Sequence, residues 1–193
     1  DVLGEAKTHV SGSAGRIGNV KLSAQIINGL VLNSGETFSY NGSVGKRTAD
    51  RGFKPAPAYV KGETVDEIGG GICQIATCIF NAACFSGLGI QERVNHDFYI
   101  ASYDDYGFAD ATVSWKSPDL KWVNDMSTYV LMTANVTDDN VVVSFWGTKD
   151  GRTVDCQRGD WKAGDKYVSI TEVDPELAPG ERKMTQSGQD GRS

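Results

Sequence analysis

The sequence predicts an α+β fold with a central buried helix packed on a mainly antiparallel sheet, and three observations carry the prediction. Residues 72–86 place Ile72, Ile75, Ala76, Ile79 and Ala83 at spacings of three and four, with Gly87 at a C-cap position, the pattern of a helix that buries one face. Beyond residue 96 the apolar pattern shortens to runs rich in β-branched and aromatic residues. Turn clusters such as Asp138-Asp139-Asn140 separate these runs and are short enough to join antiparallel neighbours.

Taken in order, residues 1–15 are polar and rich in glycine and serine and are expected to be an N-terminal lead-in. Val20, Ala24 and Ile27 recur at helical spacing, widened by Leu22 and Ile26, and Asn28-Gly29 offers a left-handed stop, so a short amphipathic helix follows. Leu30–Leu32 and Thr37–Tyr40 read as two short extended pieces around a turn. From Asn41 to Gly71 the chain is loop-like, with Pro55 and Pro57 and a strand-turn at Ala58–Val65, a length that favours a functional loop. After the central helix, strands are expected at Asp97–Ala101, Ala111–Trp115, Thr128–Ala134 and Asn140–Trp146, the last two as a hairpin. Trp115, Trp122, Trp146 and Tyr99 are assigned to core packing on these strands. Past Gly147 the composition turns charged and polar, which places a boundary near Lys149: a domain over 16–148 and a tail over 149–193.

Composition narrows the function. A net charge of −6 argues against holding nucleic acid by bulk charge. The chain opens at Asp1 with no signal-peptide core and has no apolar run long enough to span a bilayer, so any export signal or membrane anchor is expected to lie outside these 193 residues. No phosphate loop, nucleotide fingerprint or HExxH element is present, and no cofactor is expected. Cys73, Cys78 and Cys84 fall on one helix, with Cys73 and Cys78 about 140° apart, so they cannot clasp one metal ion together.

The sharpest local signal is Gly69-Gly70-Gly71-Ile72-Cys73-Gln74, three glycines running into the best helix with a cysteine in its first turn. The positive end of the helix dipole favours thiolate, and glycines would let a substrate backbone approach. Gln74 through its amide, and the free N–H groups of the first turn, could hold a developing oxyanion. Of the two histidines, His9 lies in the polar lead-in, which leaves His96 as the candidate base, with Asp110 as its orienting carboxylate and Asn95 and Asp97 as nearer alternatives. A helix-borne Cys followed by His and Asp is the chain order of papain-like, transglutaminase-like and NlpC/P60-type enzymes. Against this stands the plainer reading of a buried cysteine behind a glycine turn and a histidine satisfied by backbone. Arg47 and Arg51, in a mixed-charge loop, could meet a substrate carboxylate or simply face solvent.

Several ordered motifs then resemble one family: Ile17-Gly-Asn-Val-Lys-Leu-Ser-Ala, Leu32-Asn-Ser-Gly-Glu-Thr-Phe-Ser-Tyr-Asn, Val44-Gly-Lys-Arg-Thr-Ala-Asp-Arg-Gly-Phe, Gly69-Gly-Gly-Ile-Cys-Gln-Ile-Ala-Thr, Glu92-Arg-Val-Asn-His and Asp110-Ala-Thr-Val-Ser-Trp. From about Arg16 to Gly147 the chain resembles the VanW-like domain of Gram-positive surface and resistance-cluster proteins. Residues from Tyr167 on resemble the opening of a G5 module, cut short. The resemblance implies an extracellular setting, attached to the cell wall or membrane of a Gram-positive bacterium, with peptidoglycan or its stem peptides as the partner. It carries the glycine-Cys-Gln motif onto Gly69, Gly70, Gly71, Cys73 and Gln74, and the histidine and aspartate onto His96 and Asp110. Where the family has glycine-arginine before that aspartate, this chain has Phe108-Ala109. The expectation is a cysteine-dependent amidase, peptidase or transpeptidase, with a non-catalytic wall-binding or scaffolding module as the alternative.

Overall fold

Alternating small and β-branched residues near the start, and again between 130 and 146, build the main sheet. The computed structural model describes residues 1–60, 63–97, 99–100, 103, 109–137, 139–157, 160, 162–185, 187–188 and 190. Strand β1 (Val2–His9) pairs antiparallel with β9 (Asn140–Trp146), which pairs with β8 (Val130–Val136), which pairs with β2 (Leu30–Leu32). The expected lead-in over 1–15 is therefore corrected: Gly4, Ala6 and Thr8 alternate inward along a sheet strand whose Glu5, Lys7 and His9 face out. A second antiparallel sheet has the order β3 (Thr37–Ser39), β7 (Lys121–Val123), β6 (Gly89–Glu92), so the two extended pieces around residues 33–36 enter different sheets. A hairpin of β4 (Pro55–Val60) and β5 (Glu63–Ile68) occupies the segment read as loop, at the expected strand-turn.

Helix α1 (Ala14–Ile27) is capped by Ser13, whose Oγ accepts from the Arg16 N–H at 3.3 Å, and buries Val20, Ala24 and Ile27 as the spacing predicts. Gly29 adopts φ +85°, the left-handed stop. Short helix α2 (Tyr40–Val44) and a 3₁₀ turn at Ala49–Arg51 precede the hairpin. Helix α3 (Cys73–Phe85) is the central helix, buried over Gln74–Ala83, and packs on β1 and β9. Mixed α+β architecture, antiparallel pairing and Cys73 at the start of the buried helix are thus as expected. The sheets differ from expectation in drawing six strands, β1 to β6, from before residue 96.

Trp122 on β7 and Phe145 on β9 meet at 4.8 Å between ring centres, and Phe38 stacks on Trp122 at 5.6 Å, which joins the two sheets through one aromatic cluster. Trp115 and Trp146, expected in the core, are 42% and 39% exposed, because the segment carrying Trp115 forms an isolated bridge, Val94 to Thr112, instead of a strand, and Trp146 ends β9. The strand expected at Asp97–Ala101 falls partly outside the described residues, and Asp97, Tyr99 and Ile100 are not in a strand.

Two compact units divide the chain. The first comprises Asp1–His96 and Ile100–Arg158 and extends past the expected boundary at Lys149, since Arg152 donates to the Gly87 carbonyl at 2.6 Å and to Asp125 Oδ1 at 2.8 Å. The second comprises Asp97–Tyr99 and Gly159–Ser193; among the described residues of 159–193 there is no helix or strand. No helix is long and apolar enough to cross a membrane among the described residues.

Candidate active site

Cys73, Thr77 and Asn81 repeat every four residues and so lie along one face of α3. That face is stitched to residues 109–113. Asn81 donates from Nδ2 to the Ala109 carbonyl at 2.6 Å and accepts the Ala109 N–H at 3.1 Å. Thr77 Oγ1 accepts the Ala111 N–H at 3.0 Å and donates to the Ala111 carbonyl at 3.3 Å. At the top rung, Cys73 Sγ accepts the Val113 N–H at 3.5 Å and lies 3.6 Å from the Val113 carbonyl and 3.5 Å from Thr112 Oγ1. The registers match because four helical residues rise about 6 Å while two extended residues advance about 6.6 Å. This ladder fixes where Asp110, between the first two rungs, stands relative to the thiol.

Asp110 in turn fixes His96. Its Oδ2 accepts the His96 backbone N–H at 2.9 Å and the ring Nδ1 at 2.5 Å. The neighbouring bridge, Thr112 N–H to the Val94 carbonyl at 2.8 Å, runs the 93–96 segment alongside. With Nδ1 committed to the carboxylate, the other ring nitrogen is left for the thiol, and His96 is hydrogen-bonded to Cys73. Arg93 braces the carboxylate from behind, donating from Nε to the Asp110 carbonyl at 2.7 Å and from Nη2 to Oδ1 at 3.3 Å. Its guanidinium sits 5.0 Å over the Phe80 ring.

The electrostatics follow from these contacts. Burial pushes the Cys73 thiol up, but the hydrogen bond and charge of His96, helped by the Val113 N–H and Thr112, outweigh it and hold the thiol below its usual range. Burial alone would lower His96; hydrogen bonds to Asp110 and Cys73 and their charges push it up to about 9. Burial would likewise raise Asp110, and its bonds to His96 bring it below the ordinary carboxylate value. The resulting set is a thiol held toward thiolate beside a histidine held toward imidazolium and oriented by a carboxylate, an arrangement chemically able to attack an acyl carbon and return a proton to the leaving group.

The other sequence-predicted residues are placed differently. Gln74 is fully buried at the helix start. Its Nε2 donates to Thr8 Oγ1 at 2.9 Å and to the His9 carbonyl at 2.8 Å, while Oε1 accepts from Arg16 Nη2 at 2.8 Å, so the amide is committed to tying β1 and α1 to α3. The glycines clear room for the protein itself. A Cβ on Gly70 would meet the Ala56 carbonyl at 2.2 Å, and those on Gly69 and Gly71 would meet Arg47 and Arg16 at 2.8 and 2.5 Å. Buried Asn19 locks this turn by donating to the Lys54 and Gly70 carbonyls at 2.9 and 3.0 Å. Arg47 is brought to the site, 5.8 Å from the Trp115 ring centre, whereas Arg51 is exposed, donates to the Lys46 carbonyl and packs over Phe53. Asn95 donates to the His96 carbonyl and Asp97 falls in the second unit, so neither replaces Asp110.

Sequence reasoning missed Arg93, Thr112, Tyr103 and Arg16. Tyr103, buried, lies with its ring 6.2 Å from that of His96 and shares a hydrogen bond with Arg16. Arg93 could have been found, since it stands within the Glu-Arg-Val-Asn-His motif; nothing local marks Tyr103. Among the described residues no group of three or more His, Cys, Asp and Glu could hold a metal ion.

A family model described as VanW like protein matches residues 15–146. The chain is 37% identical over 147 residues to "Uncharacterized protein YoaR" of Bacillus subtilis (strain 168), covering 76% of this chain and 48% of that protein. It is 28% identical over 137 residues to "Vancomycin B-type resistance protein VanW" of Enterococcus faecalis (strain ATCC 700802 / V583), covering 69% of this chain and 50% of that protein. The chain thus spans about half the length of the curated relatives it matches. No solved structure matches it.

Proposed function

The chain belongs to the VanW-like protein family, and from that membership together with the site geometry we propose a cysteine-dependent acyl-transfer enzyme acting on peptidoglycan stem peptides, as amidase, peptidase or transpeptidase. The observation that carries the reading is the Cys73 thiol held below its usual range by His96, with His96 seated on Asp110. Cys73 Sγ attacks the amide carbonyl carbon, the C–N bond breaks, and His96 gives its proton to the departing amine. A thioester remains. Water or a second amine then attacks it and loses a proton to His96, and the C–S bond breaks to release Cys73 as the thiolate beside the reprotonated histidine. The N–H of Cys73 at the start of α3 serves as a donor for the oxyanion, in place of the committed Gln74 amide.

The setting belongs to the same proposal: an extracellular, wall-associated or membrane-anchored protein of a Gram-positive bacterium, with the stretch from Tyr167 leading toward a G5-like module. The resistance named for the Enterococcus relative supports a wall substrate here. Purified peptidoglycan and defined stem peptides test it. Cys73→Ala and His96→Ala are each expected to remove nearly all turnover, because nucleophile and base act as a unit. Wall binding by every variant with no peptide released or joined by the parent would establish instead a wall-binding module, the reading favoured by the glycines' internal packing.

A further inference from the structure

Two guanidinium groups flank the turn that leads into Cys73. Arg16, from α1, lies over Gly71; its Nη1 donates to the Ser11 carbonyl at 2.7 Å and its Nη2 to Gln74 Oε1 at 2.8 Å, and Tyr103 shares a hydrogen bond with it. Arg47 lies over Gly69, with Nη1 donating to Asn41 Oδ1 at 2.6 Å and to the Gly45 carbonyl at 3.0 Å. Asn41 donates in turn to the Ser114 carbonyl at 2.8 Å, which ties Arg47 to the segment whose Val113 touches the thiol. Exposed Trp115 closes this wall against the guanidinium.

Every acceptor that these two arginines meet among the described residues is neutral, and neither forms an ion pair there. Arg47 is only 9% exposed, and the charges it feels from Asp119 and Cys73 come without a hydrogen bond or ion pair among the described residues, so no carboxylate contacts the guanidinium directly. Acidic residues were not scarce, since the chain has 25, and other arginines take them: Arg93 holds Asp110, and Arg152 holds Asp125 and Asp150. A planar guanidinium with neutral support on one edge is built to receive a carboxylate on another.

Resting on the acyl-transfer reading, we propose that Arg47 is a specificity-determining residue that receives a free carboxylate of an acidic peptide beside the scissile carbonyl, with Arg16 adding positive potential and Trp115 walling the adjoining aliphatic part. Arg47 also lies close enough to Cys73 to interact with its charge, which places the carboxylate near the reacting bond.

The test measures binding by calorimetry to the Cys73→Ala protein, which needs no turnover. The probe is one synthetic stem-type tetrapeptide, prepared with its C-terminus as a free carboxylate or as a carboxamide. The carboxylate form is expected to bind at least about tenfold more tightly, and Arg47→Gln in the same background to abolish the preference. Arg47→Lys, which keeps the charge and loses the fork, is expected to retain a reduced preference and serves if Arg47→Gln does not fold. Equal affinity for the two forms, or no binding of either at about millimolar concentration, overturns the inference. Turnover by the parent reports separately on the enzyme reading. Turnover without preference sinks the carboxylate site alone; preference without turnover sinks the enzyme reading and leaves Arg47 as a binding group.

Discussion

Three thiols on one helix differ in chemistry because their neighbours differ. Cys78 is sealed in the core with Thr8 Oγ1 at 3.2 Å, and burial pushes it up to about 12; Cys84 is pushed up to about 11, again mainly by burial. Only Cys73 meets a histidine, and it alone of the three is held low. In a Cys156→Ser protein, which removes the exposed thiol, iodoacetamide near neutral pH is expected to label Cys73 about a hundredfold faster than Cys84, as peptide mapping would read. Comparable labelling of Cys73 and Cys84 in the folded protein would show that the pairing with His96 does not govern the thiol. The signs for turnover follow. Cys73 is lowered, so thiolate forms as pH rises through a value below the usual thiol range; His96 is raised from 6.5 to about 9, so its proton is present below 9 and lost above. Turnover is expected to fall on the alkaline side near pH 9. Asp110→Asn removes one of the two partners that raise His96, leaving Cys73, and moves that limb down from about 9 with residual activity, and an unmoved limb in a pH–rate profile would contradict the assignment of Asp110. The same pair contributes stability through His96 that is fully present below about 6.5 and lost as pH rises through about 9.

At the scale of elements, the ladder between α3 and residues 109–113 is the device that assembles the site. Spacing by four puts Cys73, Thr77 and Asn81 on one face, but the sequence shows those residues only as polar interruptions in an apolar helix. What they do depends on a segment about thirty residues away presenting backbone groups in register. Asn81→Ala removes both bonds to Ala109 and leaves partly buried backbone groups unanswered, at about 1 to 3 kcal/mol of stability. Because Ala109 precedes Asp110, the alkaline limb of turnover is expected to move down as well, in a protein whose unfolding remains cooperative. A variant that loses stability while the limb stays near 9 would mean that the ladder supports the fold without aligning the carboxylate.

For the whole molecule, the sheets, α1 and α3 form the first unit, into which Arg152 ties the residues after β9. The described residues of 159–193 are exposed almost throughout and carry few hydrogen bonds of their own, chiefly Tyr167 N–H to Asp190 Oδ1 and short turns around Asp174 and Glu181. Limited trypsin digestion is therefore expected to cut at Lys162, Lys166, Arg182 and Lys183 well before Lys149 or Arg152, and to leave a resistant fragment containing β1 through β9. Equal resistance across the chain, read by mass spectrometry, would mean that the tail packs as part of a folded domain.

The sequence by itself determined the α+β class, the hairpin over 130–146, the buried helix with Cys73 at its mouth and the identity of the three candidate site residues, because periodicity, turn chemistry and the scarcity of histidine are local properties. Only the tertiary structure decided that residues 2–9 are a sheet strand, since a polar alternating run becomes a strand when β9 offers an edge and α3 a face. It also decided that Gln74 serves the core, that the glycines make room for Arg16 and Arg47, and that Arg47 rather than Arg51 stands near the thiol. Each of these is a question of what fills the space beside a residue, and that space is bounded by segments distant in the chain, whose approach no local pattern records.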